Sequence, residues 1–300
     1  MNIKLIDVDS KIPNLALMQL SQYHKSLGDN VGFDITEPDI VYISCIFSKN
    51  AGKAKGIATL YPDAEVILGG SGIDLHSHIP KPAWKVKPDY KLYPNVNYDL
   101  GFTTRGCFRH CPFCVVPEKE GQLQRWQHIS DFHQEGHKIV KLLDNNIGAD
   151  KDWFFDNTDY LIENNLKVNI CSGMDIRILS EDVAEQIAKL RFVNNILNFA
   201  WDNMRDEDKI FAGINMLKDA GMPLNKISFY VLTGFNTTFE DDIYRCEKLR
   251  NAGVLCFVMQ YKPNHKTRQL ARWANKRWIY KSVPFSEYNP HFRSLNNANP

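Results

Sequence analysis

Hydrophobic positions along the chain fall into short apolar runs separated by segments with helical spacing. Ile3 to Val8 reads as a strand, and Pro13 opens a helical pattern through Leu15, Leu17, Met18, Leu20 and Tyr23 that ends near Gly28. Asp39 to Phe47 (DIVYISCIF) is almost wholly apolar, as expected of a strand covered on both faces. Lys53 to Leu60 predicts a helix before Pro62, and Val66 to Leu68 a strand running into Gly69-Gly70-Ser71-Gly72. This βαβαβ order predicts a small Rossmann-like parallel α/β domain over 1–78. Residues 79–99 carry four prolines and no helical period, which predicts an extended Pro-rich linker.

Strands and helices alternate again over 100–300. Strands are expected at Lys138 to Leu143, Lys167 to Cys171, Asn195 to Ala200, Lys226 to Leu232 and Val254 to Gln260. Helices are expected at Glu181 to Leu190, Asp206 to Ala220 and Glu240 to Ala252; Gly221 and Gly253 follow two of them, where helices end. With a first strand before Cys107 this makes about six βα units, too few for the eightfold barrel and enough for a partial (β/α)6 TIM-like barrel. Chemistry in such folds gathers at the carboxyl ends of the strands.

Composition narrows the class. Of 300 residues, 44% are hydrophobic and 24% charged, a globular balance. Lys and Arg number 36 against 35 Asp and Glu, so the formal charge of +1 gives no overall pull toward nucleic acid or an anionic membrane. The N-terminus lacks a basic stretch followed by a long apolar run, and no apolar run approaches the roughly 18 residues of a membrane span, so a soluble, cytoplasmic protein without membrane partners is expected.

Of seven cysteines, three cluster in TTRGCFRHCPFC: Cys107, Cys111 and Cys114 read C-x3-C-x2-C, on the loop after the first strand of the expected barrel. A zinc-binding interaction module without enzymatic activity needs a fourth ligand; His110 lies inside the spacing, and no second C-x2-C or H-x3-H follows. A four-iron cluster normally takes four thiolates. Three would leave one iron with an exchangeable position, open to a substrate or cofactor. Both metal readings stand at this point.

The motif, with the aromatic Phe113 before the third cysteine, resembles that of the radical S-adenosylmethionine (radical SAM) superfamily. The order of N-terminal half-sheet, Pro-rich segment and partial barrel resembles members with a cobalamin-binding-like domain ahead of the radical domain. The resemblance implies a 4Fe-4S cluster on Cys107, Cys111 and Cys114. S-adenosyl-L-methionine would bind its open iron and be cleaved to a 5'-deoxyadenosyl radical that abstracts hydrogen from a substrate. An electron donor such as flavodoxin or ferredoxin would serve as partner. The substrate could be a small molecule, a peptide or RNA, and methylthiotransferase-like or methyltransferase-like modification is the alternative reaction. Cofactor contacts are expected from Phe113, from Asp144, Asn145 and Asn146 where many members carry GGE, from Ser172 and Arg177, from Asp202 near the ribose, and from Thr233 and Met259 near the adenine. Each has a plainer reading as a turn, helix cap, surface arginine or core residue. No catalytic residue is assigned; Cys171, near a strand end, is the best thiol for one.

The D-x-H-x-x-G ligand loop common in cobalamin domains is absent, so the N-terminal domain is expected to be degenerate and cobalamin unlikely. Lys262 to Lys281 holds seven Lys or Arg, no acid, and interleaved Trp273, Trp278 and Tyr280. Such a strip can track a nucleic-acid backbone, but Leu270, Trp273, Ala274 and Arg277 have helical spacing, and the expectation is a basic helical segment.

Overall fold

The computed structural model describes residues 1–290, so the last ten residues of the region expected over 100–300 lie outside the described residues. The chain divides into two compact units: Met1–Asn145 with Glu163–Leu166, and Asn146–Ile162 with Lys167 onward.

The first unit begins with β1 (Asn2–Asp7), α1 (Leu15–Ser26), β2 (Asn30–Gly32), β3 (Ile40–Ser44), α2 (Ala51–Ala58) and β4 (Glu65–Gly69). The four strands form a parallel sheet in the order β2-β1-β3-β4. The Rossmann-like reading holds, with β2 an edge strand that its three residues were too short to announce. Ile3, Leu5, Leu17, Met18 and Leu20 fill one face of the sheet; Val41, Ile43, Cys45 and Ala54 fill the other. Each fully buried aliphatic side chain contributes roughly 1.5–3 kcal/mol. Asn14 caps α1 by accepting from the Leu17 N–H.

The Pro-rich stretch differs from the expected extended linker. It makes two short 3-10 turns, Lys81–Ala83 and Tyr90–Leu92, and Ala83, Tyr90 and Leu92 join the β1/α1 core. Asp89 accepts from Ser21 Oγ (2.7 Å) and Lys25 Nζ (2.6 Å) on α1. Tyr90 donates its hydroxyl to Phe132 O (2.8 Å). Proline excludes helix, but the aromatic and aliphatic residues between the prolines have area enough to bury.

The unit continues with β5 (Asp99–Gly101), β6 (Thr104–Arg105), α3 (Val116–Glu120), β7 (Gln124–Arg125), α4 (Ile129–Phe132) and β8 (Ile139–Leu142). β5 pairs in parallel with β8, while β6 and β7 form a two-residue antiparallel ladder.

The second unit holds most of α5 (Lys151–Glu163), then β9 (Lys167–Ile170), α6 (Glu181–Lys189), β10 (Arg191–Phe192), β11 (Leu197–Ala200), α7 (Glu207–Asp219), β12 (Ile227–Thr233), α8 (Phe239–Asn251), β13 (Leu255–Gln260), α9 (His265–Ala274) and α10 (Arg277–Ser282). β9 pairs with β10, and β11-β12-β13 form a sheet, all parallel. Phe199, Phe229, Val231, Ile214, Leu217, Leu249 and Val258 are buried between this sheet and its helices. Thr238 opens α8 with a reciprocal capping box to Asp241. In the basic segment Trp273 and Tyr280 are buried and only Trp278 is exposed, so two of its three aromatics serve the core. The architecture is mixed α/β with parallel sheets, as expected at that level. Among the described residues no helix is long and apolar enough to cross a membrane.

Candidate cofactor site

The cysteine loop is held at its base before any cofactor is considered. β6 and β7 clamp its two ends. Gly106 sits at φ +76°, and a Cβ there would lie 2.2 Å from Gln122 O, so only glycine lets the strands close. The Arg105 guanidinium pairs with Glu120 across the loop and stacks on Phe102 and Trp126, 4.4 and 5.2 Å from the ring centroids. Cys107 N–H donates to Gly121 O (3.2 Å) and Cys114 N–H to Cys111 O (2.9 Å). Lys119 Nζ donates to Ser71 Oγ (2.7 Å), tying α3 to the glycine turn after β4.

Arg109 N–H donates to Cys107 Sγ at 3.4 Å. Cys107 and Cys111 are half-buried and Cys114 exposed. Among the described residues no three His, Cys, Asp or Glu side chains converge as ligands of one ion. Phe113, the aromatic expected beside the cofactor, is half-buried in the same loop.

The carboxyl end of β8 carries Asp144 and Asn145. Asp144 is fully buried, and its carboxylate accepts from Thr103 N–H (3.0 Å) and Oγ1 (2.5 Å) and from Thr104 Oγ1 (2.8 Å) and N–H. Burial pushes its pKa up and these four donors push it back, with a net rise. The structure thus turns Asp144 toward the strand that leads into the cysteines. Asn145 Nδ2 is a buried donor with no hydrogen-bond partner among the described residues. An orphaned buried donor costs about 1–3 kcal/mol, and an acceptor on a bound cofactor would satisfy it.

In the second unit the expected residues lie at strand ends. Asn146 is buried before a short 3-10 turn. Ser172 is exposed just past β9. Arg177 is held by Asp175 through Nε (2.7 Å) and Nη2 (3.1 Å) and by Asp206 through Nη1 (2.9 Å). Burial alone would lower the guanidinium pKa; the two carboxylates more than reverse this. Asp202, just past β11, accepts from Leu232 N–H (3.2 Å), and desolvation raises its pKa. Thr233 is buried, its hydroxyl 3.3 Å from Met259 O, and Met259 is exposed. Cys171 is half-buried.

The residues that organise these strand ends were not singled out from the sequence. Arg245, fully buried on α8, donates to Trp201 O (2.6 Å), Leu232 O (2.8 Å) and Asp242 (2.6 Å). Asp242 also accepts from Gly234 N–H (3.1 Å) and Thr237 Oγ1 (2.7 Å). One ion pair therefore holds the ends of β11 and β12 and the turn after β12. The only signal was an Asp-x-x-Arg spacing in a strongly charged helix, which usually marks a solvated face.

In the Rossmann-like sheet the chain reverses its strand order between β1 and β3, and ligands of such sheets bind beyond the carboxyl ends at that point. There Asp9 accepts from Ile46 N–H (2.7 Å), Phe47 N–H (3.1 Å) and Asn50 Nδ2 (2.9 Å), fixing the turn after β3. Ile12, Ile46 and Phe47 are exposed, each near 38–39%. A Cβ on Gly70 would lie 2.4 Å from Cys45 O, so the close approach of the neighbouring turn requires this glycine.

No family model matches this chain, and no curated protein matches it. Among solved structures it is similar to the radical S-adenosylmethionine methyltransferase TsrM from Kitasatospora setae, determined with cobalamin and a 4Fe-4S cluster bound. The TM-score is 0.65 at 12% identity, over 86% of this chain and 74% of that one. At that coverage the match cannot be confined to residues 100–300 and reaches into the N-terminal sheet. The chain shares its fold with that protein, the type of fold the sequence resemblance implied. The expectation that cobalamin is unlikely is overturned, because a protein of this fold holds it. That expectation rested on a missing loop motif. Such a loop supplies one ligand to the metal, while a large flat ligand is also held by strand-end backbone and apolar side chains, which leave no short signature.

Proposed function

We propose that this chain is a radical SAM methyltransferase. In this reading Cys107, Cys111 and Cys114 hold a 4Fe-4S cluster, and the first unit takes cobalamin at the carboxyl edge of β1 and β3. The observation that carries it is the combination, in one fold match, of a C-x3-C-x2-C loop clamped at its base and a parallel sheet with an exposed apolar edge at its switch point. When bound, the cluster supplies an electron to S-adenosyl-L-methionine, and cobalamin supplies methyl-transfer chemistry.

The chain's own residues do the rest. Thr103, Thr104 and Asp144 fix the entry to the cysteine loop, and Gly106 its turn. Asn145, with its unsatisfied donor, Asn146 and Phe113 are proposed as cofactor contacts, as are Ser172, Asp202, Thr233 and Met259. Asp175 and Asp206 already hold Arg177, so it would reach a cofactor carboxylate only at the expense of one of them. Ile46 and Phe47 offer the apolar face on which a corrin would rest. A Rossmann-like domain at 1–78 and a partial (β/α)6 barrel within 100–300 belong to this proposal, with 79–99 packed on the first domain's core rather than extended. So do a flavodoxin- or ferredoxin-type electron donor and a cytoplasmic location.

The test is anaerobic purification with iron, sulfide and hydroxocobalamin, followed by reaction with S-adenosyl-L-methionine and a low-potential reductant. About four irons, four acid-labile sulfides and stoichiometric corrinoid absorbance are expected, with about one S-adenosylhomocysteine per corrinoid, the methyl group passing to the reduced corrinoid. A loaded protein that yields only 5'-deoxyadenosine would select hydrogen abstraction as the principal chemistry. One zinc and no labile sulfide would overturn the proposal in favour of a metal-binding module.

A further inference from the structure

Of the cysteines outside the loop, the fold brings two together in the second unit. Cys246 lies on α8 and Cys256 on β13, and both are buried. Cys256 Sγ donates to Cys246 Sγ at 3.4 Å. Cys45, also buried, differs: its thiol faces oxygens, Asp9 Oδ2 at 3.6 Å and Phe47 O at 3.4 Å.

Both backbones are pinned where the sulfurs meet. The Tyr280 hydroxyl donates to Cys246 O (2.8 Å), and the preceding Arg245 is anchored to Trp201 O, Leu232 O and Asp242. Cys256 stands opposite Phe229 in the parallel β12–β13 pairing, and Val254 N–H donates to Leu249 O (3.2 Å) across the turn from α8 to β13. The contact is weak as a hydrogen bond, since a thiol is a poor donor and a poor acceptor. As a precursor it is well placed: a disulfide sets its sulfurs about 2.05 Å apart, so a contraction of roughly 1.4 Å joins these two. Burial pushes the Cys256 thiol pKa well up, the Cys246 contact adds to the rise, and the Arg245 guanidinium opposes it. Thiolate is the reacting form, so the first oxidation is slow. The second step is fast, because the partner thiol is already in contact.

We propose that Cys246 and Cys256 form an oxidative modification site, joined as a disulfide by hydrogen peroxide, a small neutral oxidant. One sulfur attacks the peroxide and breaks its O–O bond; the hydroxide released takes that thiol's proton and leaves as water, and the sulfur becomes a sulfenic acid. The second sulfur attacks it, the S–O bond breaks, and the hydroxide leaves as a second water with the second thiol's proton. The two thiols are oxidised by two electrons in all, and one peroxide is reduced to two waters. The bond fastens α8, which carries the Arg245–Asp242 pair, to β13, and so ties down the helix that holds the ends of β11 and β12. The site does not depend on the methyltransferase reading.

The test exposes the anaerobically isolated full chain to hydrogen peroxide overnight, blocks remaining thiols with iodoacetamide in urea, and maps tryptic peptides by mass spectrometry. Expected is a joined pair of peptides carrying Cys246 and Cys256, lighter by two hydrogens than the separate peptides together, and parted again by dithiothreitol in urea. Cys107, Cys111 and Cys114 fall on other peptides, so their oxidation does not obscure the result. Cys256→Ala should abolish the joined pair without another cysteine taking its place, and Cys45→Ala should leave it unchanged. The parent's own map decides the proposal even where a substitution does not fold. Cys246 and Cys256 both recovered as free thiols, sulfinic acid on either, or either bonded to a different cysteine overturns it.

Discussion

Two regions of this protein present strand ends for chemistry, and they are built on opposite electrostatic plans. In the first unit the entry to the cysteine loop is held by one buried carboxylate, Asp144, accepting from two hydroxyls and two N–H groups, all neutral donors. In the second unit the ends of β11 and β12 are held by a buried guanidinium, Arg245, paired with Asp242 and donating to two carbonyls. A lone buried carboxylate with neutral donors has a raised pKa, and that rise is found for Asp144. The difference teaches where each region tolerates change. The first can lose a donor and keep the rest; the second rests on a pair whose members cannot be removed singly.

The largest expected effect therefore falls in the second unit. Arg245→Ala leaves Asp242 buried without its cation and frees two strand-end carbonyls, so a loss of about 3–5 kcal/mol is expected. Urea denaturation measures it; a loss below about 1 kcal/mol would show that water replaces the guanidinium and that the contrast between the regions is overdrawn. In the first unit Gly106→Ala should act locally. Left-handed backbone costs a non-glycine residue roughly 1–2 kcal/mol, and the added Cβ collides with Gln122 O. Reconstitution should then yield well under half the parent's iron per chain, with the far-UV circular dichroism unchanged. Full iron loading would refute the glycine's role in closing the β6–β7 clamp.

The same contrast explains what could be read in advance. The alternation of apolar runs and amphipathic segments located the main strands and helices, because burial imposes its period directly on sequence. The cysteine triad stood out because metal chemistry restricts both residue type and spacing; its reading as a cluster site belongs to the proposed function. Asp144 was noticed for its position, yet its partners Thr103 and Thr104 lie some forty residues earlier, a separation no local pattern encodes. Arg245 hid in a helix rich in charge, where a buried arginine looks like its solvated neighbours. The cobalamin reading failed because an absent motif was treated as an absent site. The packing of residues 79–99 was missed because proline content reports what a segment cannot form, not what it touches.

A middle-sized effect separates the two plans more finely. Thr104→Val removes one hydroxyl donor from Asp144 while keeping shape, and the carboxylate retains Thr103 and the Thr104 N–H. Removing one partner of a buried acceptor costs about 1–3 kcal/mol, so a loss within that range and well below the Arg245→Ala value is expected by the same urea titration. A cost equal to that of Arg245→Ala would mean that the four donors act as one unit rather than as separable bonds.

The smallest expected effect concerns pH and Asp89, the residue that pins the Pro-rich stretch to α1. Desolvation raises its pKa, but the Lys25 and Ser21 contacts and the Lys91 N–H outweigh that, and the net shift is downward. An acid whose pKa is lower folded than unfolded stabilises the fold above the unfolded value, near 3.9, and loses that contribution as pH falls through the folded value. Asp144 has the opposite sign: its raised pKa favours the fold at low pH and costs stability as pH rises through the carboxylate range. Removing the Asp89 titration should therefore flatten the acid limb. Asp89→Asn is expected to be less stable than the parent at pH 7 and to close that gap below about pH 4, followed by thermal melts at fixed ionic strength. A gap that stays constant down to pH 3 would show that Asp89 holds α1 through neutral hydrogen bonds alone, and the carboxylate in this part of the first unit would then resemble Asp144 more closely than Asp242.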